Sequence, residues 1–411
     1  MNAFMSANIL LPKNVDMEKW AVIACDQFTS DPAYWQRVRG NAGNSPSTIH
    51  LILPEAELSA DRKAAVDAIN AAMAKYLEDG VFVEYENAYI YVERTLENGS
   101  IRPGLIGMVD LEDYDYHPGS VSPIRATEKT VLERIPPRKE IRKDAPLEFP
   151  HVLMLCDDHD CCLIEPITAI KNQLPVVYDF DLMESGGHIK GWLLQGESAK
   201  AFDNRFRAYS ATYEEKYTGL SGAKVLLAVG DGNHSLATAK SCYEELKAMN
   251  PGVDMSGNPA RYALVELENI HDASQVFEPI HRIVTNVDAK KLLSCLQQYC
   301  SEDGFDVEYC LNNEKGILKL DKSRGELAVA VLQELLDSYL AENQGEIDYI
   351  HGEEEVYALA SRKNAVGFLL PAMEKGQLFR GVIDRGVLPR KTFSMGHARE
   401  KRYYLEGRRI K

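Results

Sequence analysis

A short glycine-rich segment carries the residue types best suited to chemistry. It reads Gly230-Asp231-Gly232-Asn233-His234-Ser235. Glycines let the backbone turn tightly and approach a ligand closely. Asp231 could bind a metal ion or take a proton, and His234 could donate a hydrogen bond to a phosphoryl oxygen. The segment therefore predicts a site for an anion such as a phosphate or a carboxylate.

The segment lies between a predicted strand and a predicted helix. The apolar run 225–229 predicts a buried strand, and residues 237–246 predict a helix that packs one face on the sheet. The N–H groups at a helix start, together with the helix dipole, favour bound anions. Helix capping by Asn233 or Ser235 would explain one or two of these residues. It would not explain Asp, His and Gly together at the carboxyl end of a strand, where open α/β sheets bind ligands.

A second candidate segment lies upstream. Glu128 and Thr130 stand close to Arg125, and Arg142 follows in a basic cluster at 134–143. A carboxylate among hydroxyls and guanidinium groups predicts an anion and metal site, because Arg suits bidentate phosphate recognition. A hydroxyl residue near a Glu is also typical of an ordinary helix start, so this pattern alone is weak.

Two further candidates lie downstream. His281 and Arg282 follow a predicted strand, although a lone His is more often a satisfied structural residue. Lys391 and Thr392 belong to the segment 388–394, which holds two cations and two hydroxyl residues. That segment either closes over a phosphate or is a basic loop without a ligand.

Several function classes are disfavoured. The chain lacks a Gly-x-Ser-x-Gly elbow, a Walker A pattern and a Gly-x-Gly-x-x-Gly dinucleotide loop. Its net charge of −16 argues against a general nucleic-acid binder. Basic residues concentrate in 134–143 and 380–411, which favours a small anionic ligand over a polymer, with a solvated face as the alternative for each cluster.

Location and redox state are expected from composition. The first residues lack a signal-peptide pattern, and no stretch approaches the roughly 20 apolar residues that span a bilayer. The eight cysteines show no paired C-x-x-C spacing for zinc. We expect reduced thiols in a cytoplasmic protein that has no membrane partner.

The 411 residues suffice for two or three domains. We predict an N-terminal α/β region over 1–150, a core over 151–285 with the glycine-rich segment, and a C-terminal α/β region over 286–411. Expected elements include a strand at 20–25, a helix at 59–77, a hairpin joining 88–92 to 104–109, and a long loop at 110–150. Mixed strands, helices and hairpins indicate an α+β or mixed α/β fold.

Taken in order, six segments resemble one family. They are 24–27, 46–49, 128–130 with Arg138 or Arg142 after it, 230–235, 279–282 and 388–393. Together they resemble the bacterial domain-of-unknown-function proteins that carry an Asp-Gly-His-His-Arg box. That box in turn resembles the nucleotide-binding signature of the ParB/sulfiredoxin-like fold and its free serine kinases. The resemblance implies a ParB/sulfiredoxin-like core with additional α/β elements at the C-terminus.

The chain departs from this pattern at three places. Asn233 replaces the first His of the box, Ser235 replaces its Arg, and no His precedes Glu128. If the Arg of the box binds a phosphate, another cation must do so in this chain. The candidates are Arg125, Arg142, Arg282 and Lys391.

The resemblance implies phosphoryl transfer between ATP or ADP and a hydroxyl-bearing, serine-like metabolite, with Mg²⁺. Gly230, Gly232, Asn233 and Ser235 would cradle the phosphates, and Asp231 or Glu128 would be metal ligand or base. His234, His281 and Arg282 would stabilise the transferred group. Lys391 and Thr392 would approach the same group from the C-terminal segment. A phosphatase acting on a phosphomonoester such as phosphoserine, and a non-catalytic nucleotide sensor, remain alternatives. The oligomeric state, including self-association, stays open.

Overall fold

A computed structural model describes residues 3–58 and 62–411. The chain divides into two compact units: residues 1–275 with 396–411, and residues 276–395. The sequence led us to expect three consecutive regions, but residues 1–150 and 151–275 share one unit and the chain end returns to it. Patterns along the chain do not reveal such a return, because it depends on contacts between distant residues.

The strands of the first unit come from residues 4–269 and from the end of the chain. They are β1 (Phe4–Met5), β2 (Ala7–Pro12), β3 (Val22–Ile23), β4 (Phe82–Thr95), β5 (Ile101–Asp110), β6 (Tyr114–Asp115), β7 (Ile124–Ala126), β8 (Leu147–Glu148), β9 (Leu153–Cys156), β10 (Val176–Asp181), β11 (His188–Leu194), β12 (Leu227–Asp231), β13 (Tyr262–Asn269) and, after the second unit, β20 (Tyr403–Tyr404) and β21 (Arg408–Arg409). Its α-helices are α1 (Met17–Trp20), α2 (Pro32–Ala42), α3 (Arg62–Glu78), α4 (Ile135–Asp144), α5 (Glu165–Ile170), α6 (Glu197–Thr212) and α7 (Asn233–Met249).

Eleven of these strands form one mixed sheet in the order β10-β11-β4-β5-β13-β9-β12-β7-β6, with β1 on β5 and β2 on β4. Alternate residues of a strand point to opposite faces. Accordingly Ile90 and Leu264 belong to one buried core, and Tyr91 and Val265 to another. Helices α2 and α3 contribute to the first core, whereas α6 and α7 contribute to the second. The first unit is therefore layered, with the sheet between two hydrophobic cores.

The second unit has a six-stranded sheet in the order β16-β15-β18-β14-β17, with β19 on β14. Its strands are β14 (Phe277–Thr285), β15 (Cys300–Leu311), β16 (Glu314–Leu320), β17 (Glu346–His351), β18 (Val366–Leu369) and β19 (Phe393–Met395). Its α-helices are α8 (Ala289–Gln297), α9 (Ala328–Glu342), α10 (Glu353–Ala360) and α11 (Lys375–Arg385). Both units mix helices and strands, so the predicted α+β class is confirmed.

Several predicted elements are present and two are wrong. The hairpin is present as β4 and β5, and the predicted helix at 59–77 is α3, although residues 59–61 lie outside the described part of the chain. The predicted strand at 20–25 is only the two-residue β3, preceded by α1. The predicted loop at 110–150 contains α4, whose two prolines stand in the first helical turn, where proline is tolerated.

The eight cysteines all carry free thiols. Across residues 3–58 and 62–411, no helix combines the length and apolarity that crossing a membrane requires.

Candidate functional site

The glycine-rich segment is the junction between β12 and α7. Gly232 precedes the first residue of α7 and has a φ of +82°. A Cβ atom there would lie 3.0 Å from the Cα of Val152, so both the backbone angle and the space favour glycine. The Gly232 N–H donates to Asp231 Oδ1 at 2.8 Å. This turn leaves the N-terminal end of α7 beside the Asp231 carboxylate.

The sheet brings two other segments to the same edge. Strand β7 runs parallel to β12, so residues 127–130 leave the sheet beside the glycine-rich segment. The Thr127 hydroxyl donates to the Val229 carbonyl at 2.7 Å. Strand β9 is antiparallel to β12 and begins with Leu153 opposite Asp231, so the chain enters β9 at this edge. The edge therefore collects 127–130, 151–153 and 230–235.

Asp231 is paired with a lysine from the chain end. Lys401 Nζ lies 3.4 Å from Asp231 Oδ2, and both side chains are largely buried. Burial alone would raise the pKa of Asp231, but Lys401, His151 and the Gly232 N–H together lower it below its usual value. Asp231 is therefore ionised at neutral pH. The Lys401 ammonium, the His151 ring and the Gly232 N–H stabilise its negative charge.

A hydrogen-bonded chain links the early turn to this edge. His151 Nδ1 and the Tyr404 hydroxyl lie 2.8 Å apart, and the Cys25 N–H donates to the same hydroxyl at 3.3 Å. Strand β20, which contains Tyr404, pairs with β3 just before Cys25. The segment 24–27 therefore packs near the glycine-rich segment. Both segments are among the six that resemble the family.

His234 lies in the first turn of α7 as a neutral imidazole. The Val131 N–H donates to its Nε2 at 3.2 Å, which places the ring proton on Nδ1. Burial lowers the pKa of His234 to about 4, with help from Arg138 and Arg134 and against the opposing effect of Asp26. His234 can therefore offer Nδ1–H as a donor without carrying a charge.

This lowered pKa predicts a pH dependence of stability. The unfolded pKa is about 6.5, so between pH 6.5 and 4 the unfolded chain binds more protons at His234. The contribution of His234 to stability should be complete above pH 6.5 and be lost as the pH falls toward 4, by about 1 to 2 kcal/mol once solvent screening of this partly exposed ring is included. Urea unfolding of wild type and His234→Gln at pH 7 and pH 5 measures the difference. An NMR titration that places the His234 midpoint near 6.5 would contradict it.

Two buried polar atoms at this edge are unsatisfied. Within the described part of the chain, neither Asn233 Oδ1 nor Thr130 Oγ1 has a hydrogen-bond partner. Native structures rarely leave buried polar atoms unpaired without a reason such as a ligand. The first atom accepts a hydrogen bond, whereas the second can also donate one.

The two arginines predicted to bind phosphate in this unit have protein partners. Arg125 donates to the Ser120 carbonyl at 3.1 Å and to the Ala223 carbonyl. Arg142 Nη2 lies 2.5 Å from a Glu148 carboxylate oxygen. Glu128 is half-buried just beyond β7, and Ser235 lies in the first turn of α7. Lys401, which the sequence did not single out, is the residue that forms an ion pair with Asp231 instead.

The remaining predicted residues lie in the second unit. His281 is buried and accepts from the Leu370 N–H at 3.1 Å, and burial lowers its pKa. Arg282 is fully buried and donates to the carbonyls of Arg390 and Lys391 at 3.1 and 2.9 Å. The Thr392 hydroxyl donates to the Pro389 carbonyl at 2.7 Å. These contacts hold the segment 389–392 on β14.

Sequence reasoning missed Lys401, His151 and Tyr404. His151 stands at the start of a predicted strand, and Lys401 lies in the basic stretch 380–411. A polar residue at a strand start and a basic stretch are weak signals. The pairing of β9 with β12 brings His151 to this edge, and the return of the chain end, with β20 paired to β3, brings Tyr404 and Lys401.

A resident Mg²⁺ ion does not fit this edge. In residues 3–58 and 62–411, no group of three His, Cys, Asp or Glu side chains could hold a metal ion. Both Asp231 oxygens already face donors, namely the Gly232 N–H and the Lys401 ammonium.

Together, the fold and this edge define a mixed α/β protein in which a glycine turn joins strand β12 to the start of helix α7. The chain belongs to the protein family of unknown function DUF1015, which it matches over residues 9–383. No curated protein matches it.

Some solved structures are similar at low identity. C-terminally truncated SbnI from Staphylococcus aureus is 11% identical over 71% of this chain and 82% of its own, with a TM-score of 0.37. Free serine kinase in complex with AMP is 10% identical over 74% of this chain and 91% of its own, with a TM-score of 0.37. A mutant of that kinase in complex with ADP has 11% identity, the same coverage of 74% and 91%, and a TM-score of 0.38. These similarities concern the fold, and they agree with the resemblance drawn from the motifs.

Proposed function

We propose that this protein transfers a phosphoryl group between a nucleotide and a hydroxyl-bearing, serine-like metabolite. The observation that carries the proposal is the pair of unsatisfied buried atoms at the glycine-rich segment. Thr130 Oγ1 can donate to a phosphate oxygen, whereas Asn233 Oδ1 can accept from an N–H or O–H group of the metabolite other than its reacting hydroxyl. A phosphate beside a metabolite that has such a second donor would satisfy both atoms.

The phosphates would bind at the start of α7. The free N–H groups of the first helical turn and the helix dipole favour negative charge there. Lys401, which already lies 3.4 Å from Asp231, would supply a full positive charge to the same anion. This assignment gives Lys401 the role that the sequence resemblance gives to the arginine of the box.

Asp231 would act on the acceptor hydroxyl. As the acceptor oxygen forms its bond to the terminal phosphorus of ATP, the bond from that phosphorus to the bridging oxygen breaks and ADP leaves. The hydroxyl proton passes to the Asp231 carboxylate and then to solvent. The neutral His234 would donate from Nδ1 to the transferred group, because its Nε2 is held by the Val131 N–H.

Calorimetric titration tests this proposal. Wild type, Lys401→Met and Lys411→Met are titrated with ATP, ADP, pyrophosphate and phosphoserine, with and without Mg²⁺. Losing a charged hydrogen bond costs about 1.5 to 3 kcal/mol, so Lys401→Met should bind nucleotide about 10- to 100-fold more weakly. Lys411 is half-exposed at the chain end, and Lys411→Met should bind as wild type does.

The outcomes separate the alternatives. Nucleotide binding with turnover, both reduced in Lys401→Met, supports the phosphotransferase. Nucleotide binding without turnover of any tested acceptor supports a sensor instead. Binding of phosphoserine alone, with hydrolysis, supports the phosphatase and removes the nucleotide from the proposal.

A further inference from the structure

A pocket lies against the flank of the glycine-rich segment, within the first unit. Its volume is about 140 Å³, and its lining includes Ser235 and Thr238 from the first turns of α7. His151 also lines the pocket, and the same residue helps to lower the pKa of Asp231. The pocket is therefore next to the groups that would handle the acceptor hydroxyl.

The walls of the pocket are mainly apolar. They are formed by side chains from α3, α4 and the segments around residues 51–53 and 147–150, among them Leu51, Leu53, Met73, Ile141 and Phe149. Burying apolar ligand surface against such walls is favourable by roughly 25 cal/mol per Å².

The charges in the lining cancel in pairs. Arg138 is ion-paired with Glu55, and Arg142 with Glu148 at 2.5 Å. Burial raises the pKa of the Cys25 thiol to about 11, so this side chain is neutral. Among the described side chains that line the pocket, the carboxylates and the guanidinium groups are therefore paired with each other, and the pocket favours an uncharged occupant.

The volume limits the occupant further. An engineered apolar cavity of about 150 Å³ holds benzene, so this pocket suits a group of about six carbons and is small for a purine base. We infer that the pocket binds the uncharged, apolar end of the acceptor alcohol. This inference rests on the proposed function and narrows it, because serine itself has no apolar group that would fill the space.

Benzyl alcohol is the probe for this inference, and glycerol is the polar comparison. Ile141→Trp fills the pocket from α4, whereas Leu132→Trp adds the same side chain at an exposed position outside the lining. Titration followed by NMR should show benzyl alcohol binding to wild type and to Leu132→Trp, at least about tenfold weaker binding to Ile141→Trp, and no comparable binding of glycerol. In wild type, nuclear Overhauser effects should connect the probe to the Met73 methyl group.

Absence of those effects, equal binding of benzyl alcohol to Ile141→Trp, or equal binding of glycerol would overturn the inference. The Met73 measurement needs no variant, so it decides even if Ile141→Trp does not fold. ATP binding is measured in the same samples. If the probe binds as expected and ATP does not, the pocket stands and the phosphotransferase falls. If ATP binds and the probe does not, only the pocket assignment falls.

Discussion

Replacing Asp231 by Asn should reduce phosphoryl transfer by about 10² to 10⁴, the usual contribution of a positioned acid or base. The amide oxygen can still accept from the Gly232 N–H, which lies 2.8 Å from Asp231 Oδ1 in the native protein, so the turn keeps its geometry. The variant cannot take the hydroxyl proton. Turnover is followed by phosphorus NMR with ATP and serine, and with larger neutral alcohols.

Nucleotide affinity should respond differently from turnover in this variant. Removing the carboxylate abolishes the ion pair with Lys401 at 3.4 Å and removes a negative charge that repels phosphates. ADP should therefore bind as tightly as in wild type or more tightly. Asp67→Asn, a change at an exposed position of α3, serves as the control and should leave both quantities unchanged. Full turnover in Asp231→Asn would remove this residue from the mechanism.

Features set by local sequence were predictable. The hairpin of β4 and β5 follows from two apolar runs around an Asn-Gly turn, and the β12–α7 junction follows from an apolar run, a glycine turn and helical spacing. Gly232 in the left-handed region fits that prediction, because few other residues adopt a φ of +82°. Local patterns of this kind placed the candidate site at one end of β12.

The partners of the charged residues were not predictable. Arg125 and Arg142 have the chemistry of phosphate ligands, but backbone carbonyls and Glu148 occupy them. Lys401 has the same chemistry as the other lysines of the chain, and only the long-range return of the chain end places it at Asp231. Helix α4 was missed because two prolines normally argue against a helix, although the first turn accepts them. The spacing of residues along the sequence does not show which distant residues come into contact.

The chain end is held in place by a buried arginine. Arg402 is 3% exposed and donates to Glu266, to Glu406 at 2.7 Å and to the Pro150 carbonyl at 3.3 Å. The Tyr178 hydroxyl donates to the other oxygen of Glu406 at 2.5 Å. Arg402 therefore neutralises the buried carboxylates of Glu266 and Glu406. It directly follows Lys401 in the chain, and it binds the carbonyl of Pro150, which directly precedes His151.

Arg402→Met should destabilise the protein by about 3 to 5 kcal/mol, because two carboxylates would remain buried without a cation. Urea unfolding at neutral pH measures the loss. Lys63→Met is the matched control: its ion pair with Asp67 is exposed at 86% and 63%, and its removal should cost less than about 1 kcal/mol.

A triple variant separates charge from packing. Combining Arg402→Met with Glu266→Gln and Glu406→Gln removes the uncompensated charges, so it should recover much of the stability that the single variant loses. Equal instability of the two variants would show that lost packing, and not unpaired charge, is the cause. Because Arg402 adjoins Lys401, the single variant should also weaken ADP binding, whereas Lys63→Met should not. A loss of both stability and ADP affinity in this variant would show that the packing of the chain end positions Lys401 at the site around Asp231.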